Sequence, residues 1–437
     1  MPLGTGPRRT TLRLANGLTV ILAPLAASPT ASVWLWHSVG SRDERPGLTG
    51  ASHCIEHLLF LGSPHFPKGS IDRAVVGVGG TLNAFTDTDF TAYFATVPSA
   101  HVGLPLAIEA DRLTGAFLSD REVEREREVI LSEREGNENW PEFKAEEELY
   151  QLAFRRHPYR WDALGWRTDI ETMRPAELRE YYRAQYGPRR AALVVAGGFD
   201  AAKLRRTVEA QFGSLEGPAT PRRTPPAEPA QYGPRRSTLT GPGSTPFVYF
   251  GWPAPAVGSP LAPTFVLLDV ILGGESRLFA AGAGWRRRAD HPSSRLYRAL
   301  VDTGLAVRAT SDWTPKIDPG LFCVRVQAAP GRSLDQIEER VRALANRLAT
   351  RGPTDGELRE ARAKIRRGAE LAYEGASRVG FRLGLFATLG GPSLERRLFA
   401  GCLRTTADEI AAAAREWLSP DRVNIVRYEP TSPGRPR

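Results

Sequence analysis

The chain has 437 residues, room for about two to four domains, and its 41% hydrophobic and 24% charged content is ordinary for a globular protein, which excludes a disordered or fibrous one. The formal charge of +9 comes from arginines scattered along the chain, with Lys68, Lys144, Lys203, Lys316 and Lys364 the only lysines, so there is no basic tail and nucleic-acid binding is disfavoured. Cys54, Cys323 and Cys402 form no CxxC pair and are odd in number, which argues against a disulfide framework or a zinc ribbon.

At the N-terminus, Arg8-Arg9 followed by the apolar run 18–25 has the outline of a twin-arginine signal peptide. The competing pattern is a hairpin in which Thr11–Leu14 and Leu18–Leu22 flank Asn16-Gly17, the strongest short hairpin signal. The hairpin is preferred, because cleavage would discard an edge of the sheet, and a cytoplasmic location is the default expectation. Two long uncharged stretches, 14–41 and 237–268, are broken by Pro24 and Pro29 and by six prolines respectively, so no membrane span is expected.

Residues 50–62 read GASHCIEHLLFLG. His53 and His57 stand at i and i+4, so a helix presents both imidazoles to a common point. Glu56 sits close enough to that face to take a proton from a metal-bound water. Two imidazoles on a metal beside a carboxylate base is the arrangement of a catalytic zinc, and H-x-x-E-H is the inverted zinc-peptidase signature. Further along, 120–135 reads as a charged helix with one apolar stripe, on which Glu126, Ile130 and Glu133 share a face. From the pattern alone Glu133 has two readings: a third metal ligand, or one more carboxylate of a solvated Arg–Glu helix, as Glu122, Glu124, Glu128 and Glu135 read. Glu126 would then be a carboxylate supporting the ligands or facing the substrate.

The chain also repeats. At a constant offset of 232, Glu177, Leu178, Pro188, Arg190 and Val194 align with Glu409, Ile410, Pro420, Arg422 and Val426, each set an amphipathic helix, a proline turn and a buried strand. SVWLWH at 32–37 corresponds to FVYFGW at 247–252, each followed by an apolar helix ending in glycine. The expected fold class is α+β: two tandem homologous domains, 1–216 and 237–437, with largely antiparallel sheets packed by helices. A proline-rich linker, 217–236, is expected to run exposed and semi-extended between them.

Together these residues resemble the pitrilysin family of zinc metallopeptidases, in particular its small two-domain subunits such as those of the mitochondrial processing peptidase. The resemblance is carried by Gly50–Gly62 and Glu126–Glu133, with Gly79-Gly80, Asn83-Ala84, Thr91-Ala92-Tyr93 and His157-Pro158-Tyr159 in the first half, and Leu272-Gly273-Gly274 and Ser294-Arg295-Leu296-Tyr297 in the second. It implies two α/β-roll domains and one zinc per chain, bound by His53, His57 and Glu133. Glu56 would be the general base and Glu126 an additional active-site carboxylate. Asn83 and Ala84 would lie on an edge strand that holds the substrate backbone. It also implies a clam-like chamber formed by two chains.

The chain departs from that family in its second half. Active members carry an Arg and a Tyr that contact substrate across the chamber, and here those places hold Val301 and Val307. Arg295, Arg298 and Arg308 are the nearby candidates to substitute, against their reading as ordinary surface arginines. The repeat maps the zinc helix onto Thr264–Leu268, without His or Glu, so the second half carries no zinc. A segment at 280–292 with Gly282, Gly284 and Arg286–Arg288 stands where the family has a glycine-rich loop, and reads either as a contact for an acidic peptide or as a solvated loop. The expectation is a zinc-dependent endopeptidase acting on peptides or unfolded segments, paired with a homologous subunit that supplies the missing Arg and Tyr. The alternative is a non-catalytic core subunit of the same family.

Overall fold

The computed structural model describes residues 6–431 apart from Ala27, 219–221, Arg277 and 279–290. The arginine-rich segment therefore lies almost wholly outside the described residues. The first half contains β1 (Thr10–Arg13), β2 (Thr19–Pro24), β3 (Thr30–His37), α1 (Ala51–Leu58), α2 (Ser70–Gly77), β4 (Thr81–Thr86) and β5 (Thr91–Pro98). It continues through α3 (Gly103–Gly115), α4 (Asp120–Glu138), α5 (Pro141–Ala153), α6 (Arg167–Thr172), α7 (Pro175–Gln185), β6 (Ala191–Gly197) and α8 (Ala201–Phe212). The second half contains β7 (Arg235–Gly241), β8 (Phe247–Ala254), α9 (Ala262–Gly273), β9 (Ala306–Trp313), β10 (Gly320–Ala328) and α10 (Leu334–Arg351). It ends with α11 (Asp355–Leu371), α12 (Ala376–Gly390), α13 (Leu394–Arg404), α14 (Ala407–Trp417) and β11 (Asn424–Pro430).

The strands form two sheets, ordered β1-β2-β6-β3-β5-β4 and β7-β11-β8-β10-β9. With β1 set aside the two orders correspond strand for strand. In each, the pair made with the returning strand (β2 with β6, β7 with β11) is parallel and the rest are antiparallel. The chain is thus α+β, with two domains of one topology. The N-terminal hairpin is formed, Thr10 pairing with Leu22 and Arg13 with Thr19. Among the described residues no helix is long and apolar enough to cross a membrane.

β2, β3 and β6 are apolar without alternation because both faces of the first sheet are buried. On one face Val20, Leu22, Val33, Leu35 and Leu193 meet Leu106 of α3 and Val208 of α8. On the other, Ile21, Trp34, Trp36 and Val194 join a core that includes Val379, Leu383 and Phe386 of α12, a helix of the second half lying across β3 and β6. The exchange is mutual. α5 of the first half covers β7, β8 and β11, with Leu149 and Ala145 packed among Phe247, Tyr249, Leu321 and Val426. Each sheet is completed by a helix from the other half, which couples the two domains through apolar burial as well as through chain connectivity.

Residues 222–234 contain no helix or strand, as their prolines dictate. They are pinned more firmly than a free linker, for a polar reason. Arg222 pairs with buried Asp43 at 2.8 Å, and the Glu228 carboxylate accepts from the backbone N–H groups of Arg155, Arg156 and His157.

Candidate metal and catalytic site

The site is built on α1. Its first N–H groups would be orphaned in a buried setting, and the carboxylate of Glu44 accepts from Gly50 and Ser52, both at 2.8 Å. Burial raises the Glu44 carboxyl to a pKa of about 7, against the pull of those two N–H groups. Asp169 holds the preceding turn through the N–H groups of Gly47 and Thr49 and the Thr49 hydroxyl. Gly50 has φ +87°, and a Cβ there would sit 2.5 Å from the carbonyl oxygen of Leu164, so the entry to the helix requires glycine.

α1 places His53, buried, and His57, partly exposed, with ring centroids 4.7 Å apart. α4 crosses it. Ser119 caps α4 by accepting from the Glu122 N–H, and Asp120 and Glu122 in its first turn suit the helix dipole. Ile130 is buried in the same core as Ile55 and Leu58 of α1, which aims Glu126 and Glu133 at the histidines. Glu133 Oε2 lies 3.6 Å from His53 Nε2 and 3.6 Å from His57 Nε2, and Glu126 Oε2 lies 3.4 Å from His57 Nδ1. The other acids of α4 behave as a solvated face: Glu124 pairs with Arg127, Glu135 with Arg167, and Glu122 with Lys68.

The donor atoms of His53, His57 and Glu133 all lie within 4.8 Å of one another. Burial, reinforced by the neighbouring His57, lowers the pKa of His53 to about 4 and keeps that imidazole neutral. Burial also pulls His57 down, but Glu133, Glu56 and Glu126 outweigh it and raise its pKa, while the hydrogen bond from His57 lowers that of Glu133. Two imidazoles facing three carboxylates form a cluster with surplus negative charge and borderline-soft nitrogen donors, a set that suits a divalent ion such as zinc. Cys54 does not join it: its side chain lies in the apolar core with Val123, Ile130 and Leu178, where burial pushes the thiol up to about 12.

Glu56 is buried beside this cluster, and burial raises its carboxyl pKa against the pull of a 2.6 Å hydrogen bond donated by the Thr86 hydroxyl to Oε2. Thr86 ends β4, the outermost strand of the first sheet, on which Asn83 and Ala84 pair with Phe94 and Tyr93 of β5. Among the described residues the outer edge of β4 takes no strand partner, and the strand packs against α1. Glu44, Thr86 and Asp169 had no sequence signal, because each acts on a partner distant in the chain or outside any local motif.

In the second half, Val307 stands 48% exposed at the start of edge strand β9, and Val301 is partly buried against the core. Arg295 is committed elsewhere, to Glu357 at 2.8 Å and the carbonyl of Gly352, and Arg298 reaches the same Glu357 at 3.3 Å. The stretch 264–268 lies inside α9, buried, with no metal-ligating side chain.

Residues 19–165 match the family described as Insulinase (Peptidase family M16), and 172–365 match Peptidase M16 inactive domain. An uncharacterized zinc protease of Mycobacterium tuberculosis is 30% identical over 94% of this chain and 91% of its own. The chain belongs to peptidase family M16. The beta subunit of the mitochondrial-processing peptidase of Blastocladiella emersonii is 29% identical over 86% of this chain and 79% of its own. Among solved structures, a protease from Helicobacter pylori superposes with a TM-score of 0.90 at 23% identity, covering 98% of this chain and all of that one, a likeness of fold. In this M16 chain the helix pair α1 and α4, which carries the histidines and carboxylates, lies within the first matched segment, and the valine pair lies within the segment matched to the inactive domain.

Proposed function

We propose that this M16 chain is a zinc-dependent endopeptidase that hydrolyses peptides or unfolded polypeptide segments, in a chamber completed by a homologous second subunit. The observation that carries the reading is the convergence of His53 Nε2, His57 Nε2 and Glu133 Oε2 beside a separate buried carboxylate, Glu56. His53, His57 and Glu133 would hold one zinc ion, which when bound polarises a scissile carbonyl and acidifies water. Glu56 serves as the proton acceptor. Thr86 donates to its Oε2, which leaves Oε1 to take the proton and return it to the leaving amine. Glu126 Oε2, 3.4 Å from His57 Nδ1, is placed to accept its N–H, which leaves the Nε2 lone pair for the metal. The outer edge of β4 at Asn83 and Ala84 pairs with the backbone of an extended substrate.

The second subunit enters because Val301 and Val307 offer no donor where the resembled enzymes use Arg and Tyr. Oriented donors around the developing charge are a large part of catalysis, so a homodimer would turn over slowly. A non-catalytic core subunit would have no need for His53, Glu56, His57 and Glu133 together. The test is to load the chain with zinc and assay a peptide library, alone and mixed with a homologous chain that carries the Arg and Tyr. The reading predicts about one zinc per chain and turnover stimulated by the partner. Absence of zinc binding, or no turnover in either mixture, would reject it.

A further inference from the structure

We propose that Lys316, from the second domain, is a positioning residue for Glu56, acting through the β4–β5 turn and the Thr86 hydroxyl. The inference rests on the peptidase reading above. Thr86 pairs with Thr91 across the hairpin, and Asp87, Thr88, Asp89 and Phe90 make the turn, closed by the Asp87 N–H donating to the Phe90 carbonyl at 2.8 Å. This turn is held from the connection between β9 and β10. Lys316 is buried, its Nζ donates to Thr88 Oγ1 at 2.5 Å, and it lies 3.7 Å from Asp87 Oδ1. Thr88 Oγ1 in turn donates to Asp87 Oδ1 at 2.8 Å. The next residue, Ile317, donates its N–H to buried Asp89 at 2.9 Å, and Asp89 also accepts from the Tyr159 hydroxyl. The Lys316 carbonyl accepts from the Val257 N–H at 2.8 Å, which ties the holding segment to its own domain.

A single chain of contacts thus runs from the second domain to the oxygen of Glu56: Lys316, Thr88 and Asp87, Thr86, Glu56. Buried lysines are costly unless each donor finds a partner, and this one spends its ammonium on the turn that aims Thr86. A plain interdomain staple could be apolar, whereas a directional polar contact fixes the turn's orientation and hence the rotamer of a catalytic carboxylate. The second domain, in which the described residues form no metal-binding cluster, contributes in this way to the chemistry of the first.

The experiment is a double-mutant cycle on zinc-loaded enzyme, with the partner subunit where activity needs it, using K316M, T86V and the double variant. Zinc content, melting temperature, kcat and KM are measured for each. If Lys316 acts through Thr86, K316M lowers kcat by about 10- to 100-fold with KM and zinc content unchanged, and in the T86V background it lowers kcat no further. Additive losses, or a K316M protein with wild-type kcat, would overturn the proposal. If K316M does not fold, T88V, which removes the hydroxyl between Lys316 and Asp87, takes its place in the same cycle. E56Q is the control that separates the two ideas: an E56Q enzyme as active as wild type overturns the peptidase assignment of Glu56, whereas an inactive one leaves the cycle to decide on Lys316 alone.

Discussion

Trp36 of β3 lies so close to Gly384 of α12 that a Cβ on the glycine would sit 1.9 Å from the indole Nε1. One turn earlier a Cβ on Gly380 would sit 2.2 Å from Cδ1 of Trp34. The two indoles stack at 5.6 Å and extend to Phe94, so an aromatic strip on the first sheet fits a glycine groove on a helix from the second half. This contact joins the two domains, as the Lys316 contact does.

Gly384→Ala is therefore expected to destabilise the protein by about 1–3 kcal/mol, although alanine is favoured over glycine in an open helix by about 1 kcal/mol. Trp36 is fully buried and cannot swing away. Denaturant unfolding measures it, and a variant more stable than wild type would show that the helix does not seat as described.

Glu126→Ala should leave the zinc stoichiometry near one at saturating metal but weaken affinity by about 10- to 100-fold, because His57 loses the acceptor that fixes its Nδ1–H. Competition with a graded series of chelators reads the change. Unaltered affinity would move Glu126 from ligand support to the substrate side of the site.

Asp318 joins the domains, accepting from Arg42 Nε at 2.5 Å and lying 3.1 Å from His157 Nε2. Burial would raise its pKa, but these two partners outweigh it and lower it to about 2. A depressed carboxylate stabilises the fold above its unfolded pKa and loses that contribution as pH falls through the folded value, here from about 4 to about 2. Unfolding free energy measured across that window should fall more steeply for wild type than for Asp318→Asn, and parallel curves would remove Asp318 from the acid response.

Much of the site was legible because its chemistry is local: H-x-x-E-H lies within one helical turn and a half, and Glu126 and Glu133 share a face with apolar Ile130. The doubled topology was legible from matched proline turns and apolar strands. The exchange of α5 and α12 was not, since an amphipathic helix announces an apolar face without naming the sheet it covers. His157-Pro158-Tyr159 stood out as a motif, but its work, Tyr159 on Asp89 and His157 on Asp318, joins residues far apart in the chain. Thr86 and Glu44 were invisible because one hydroxyl and one carboxylate carry no pattern until the fold supplies their partners, even when, as for Glu44, these are only six and eight residues away.

The central claim is that His53, His57 and Glu133 hold the metal while Glu56 handles the proton, and Glu56→Gln separates the two directly. The variant should bind zinc at wild-type stoichiometry, and its peptidase kcat, measured with the partner subunit present, should fall by at least about 10²–10⁴-fold. A Glu56→Gln enzyme that keeps its zinc and turns over at the wild-type rate would contradict the account.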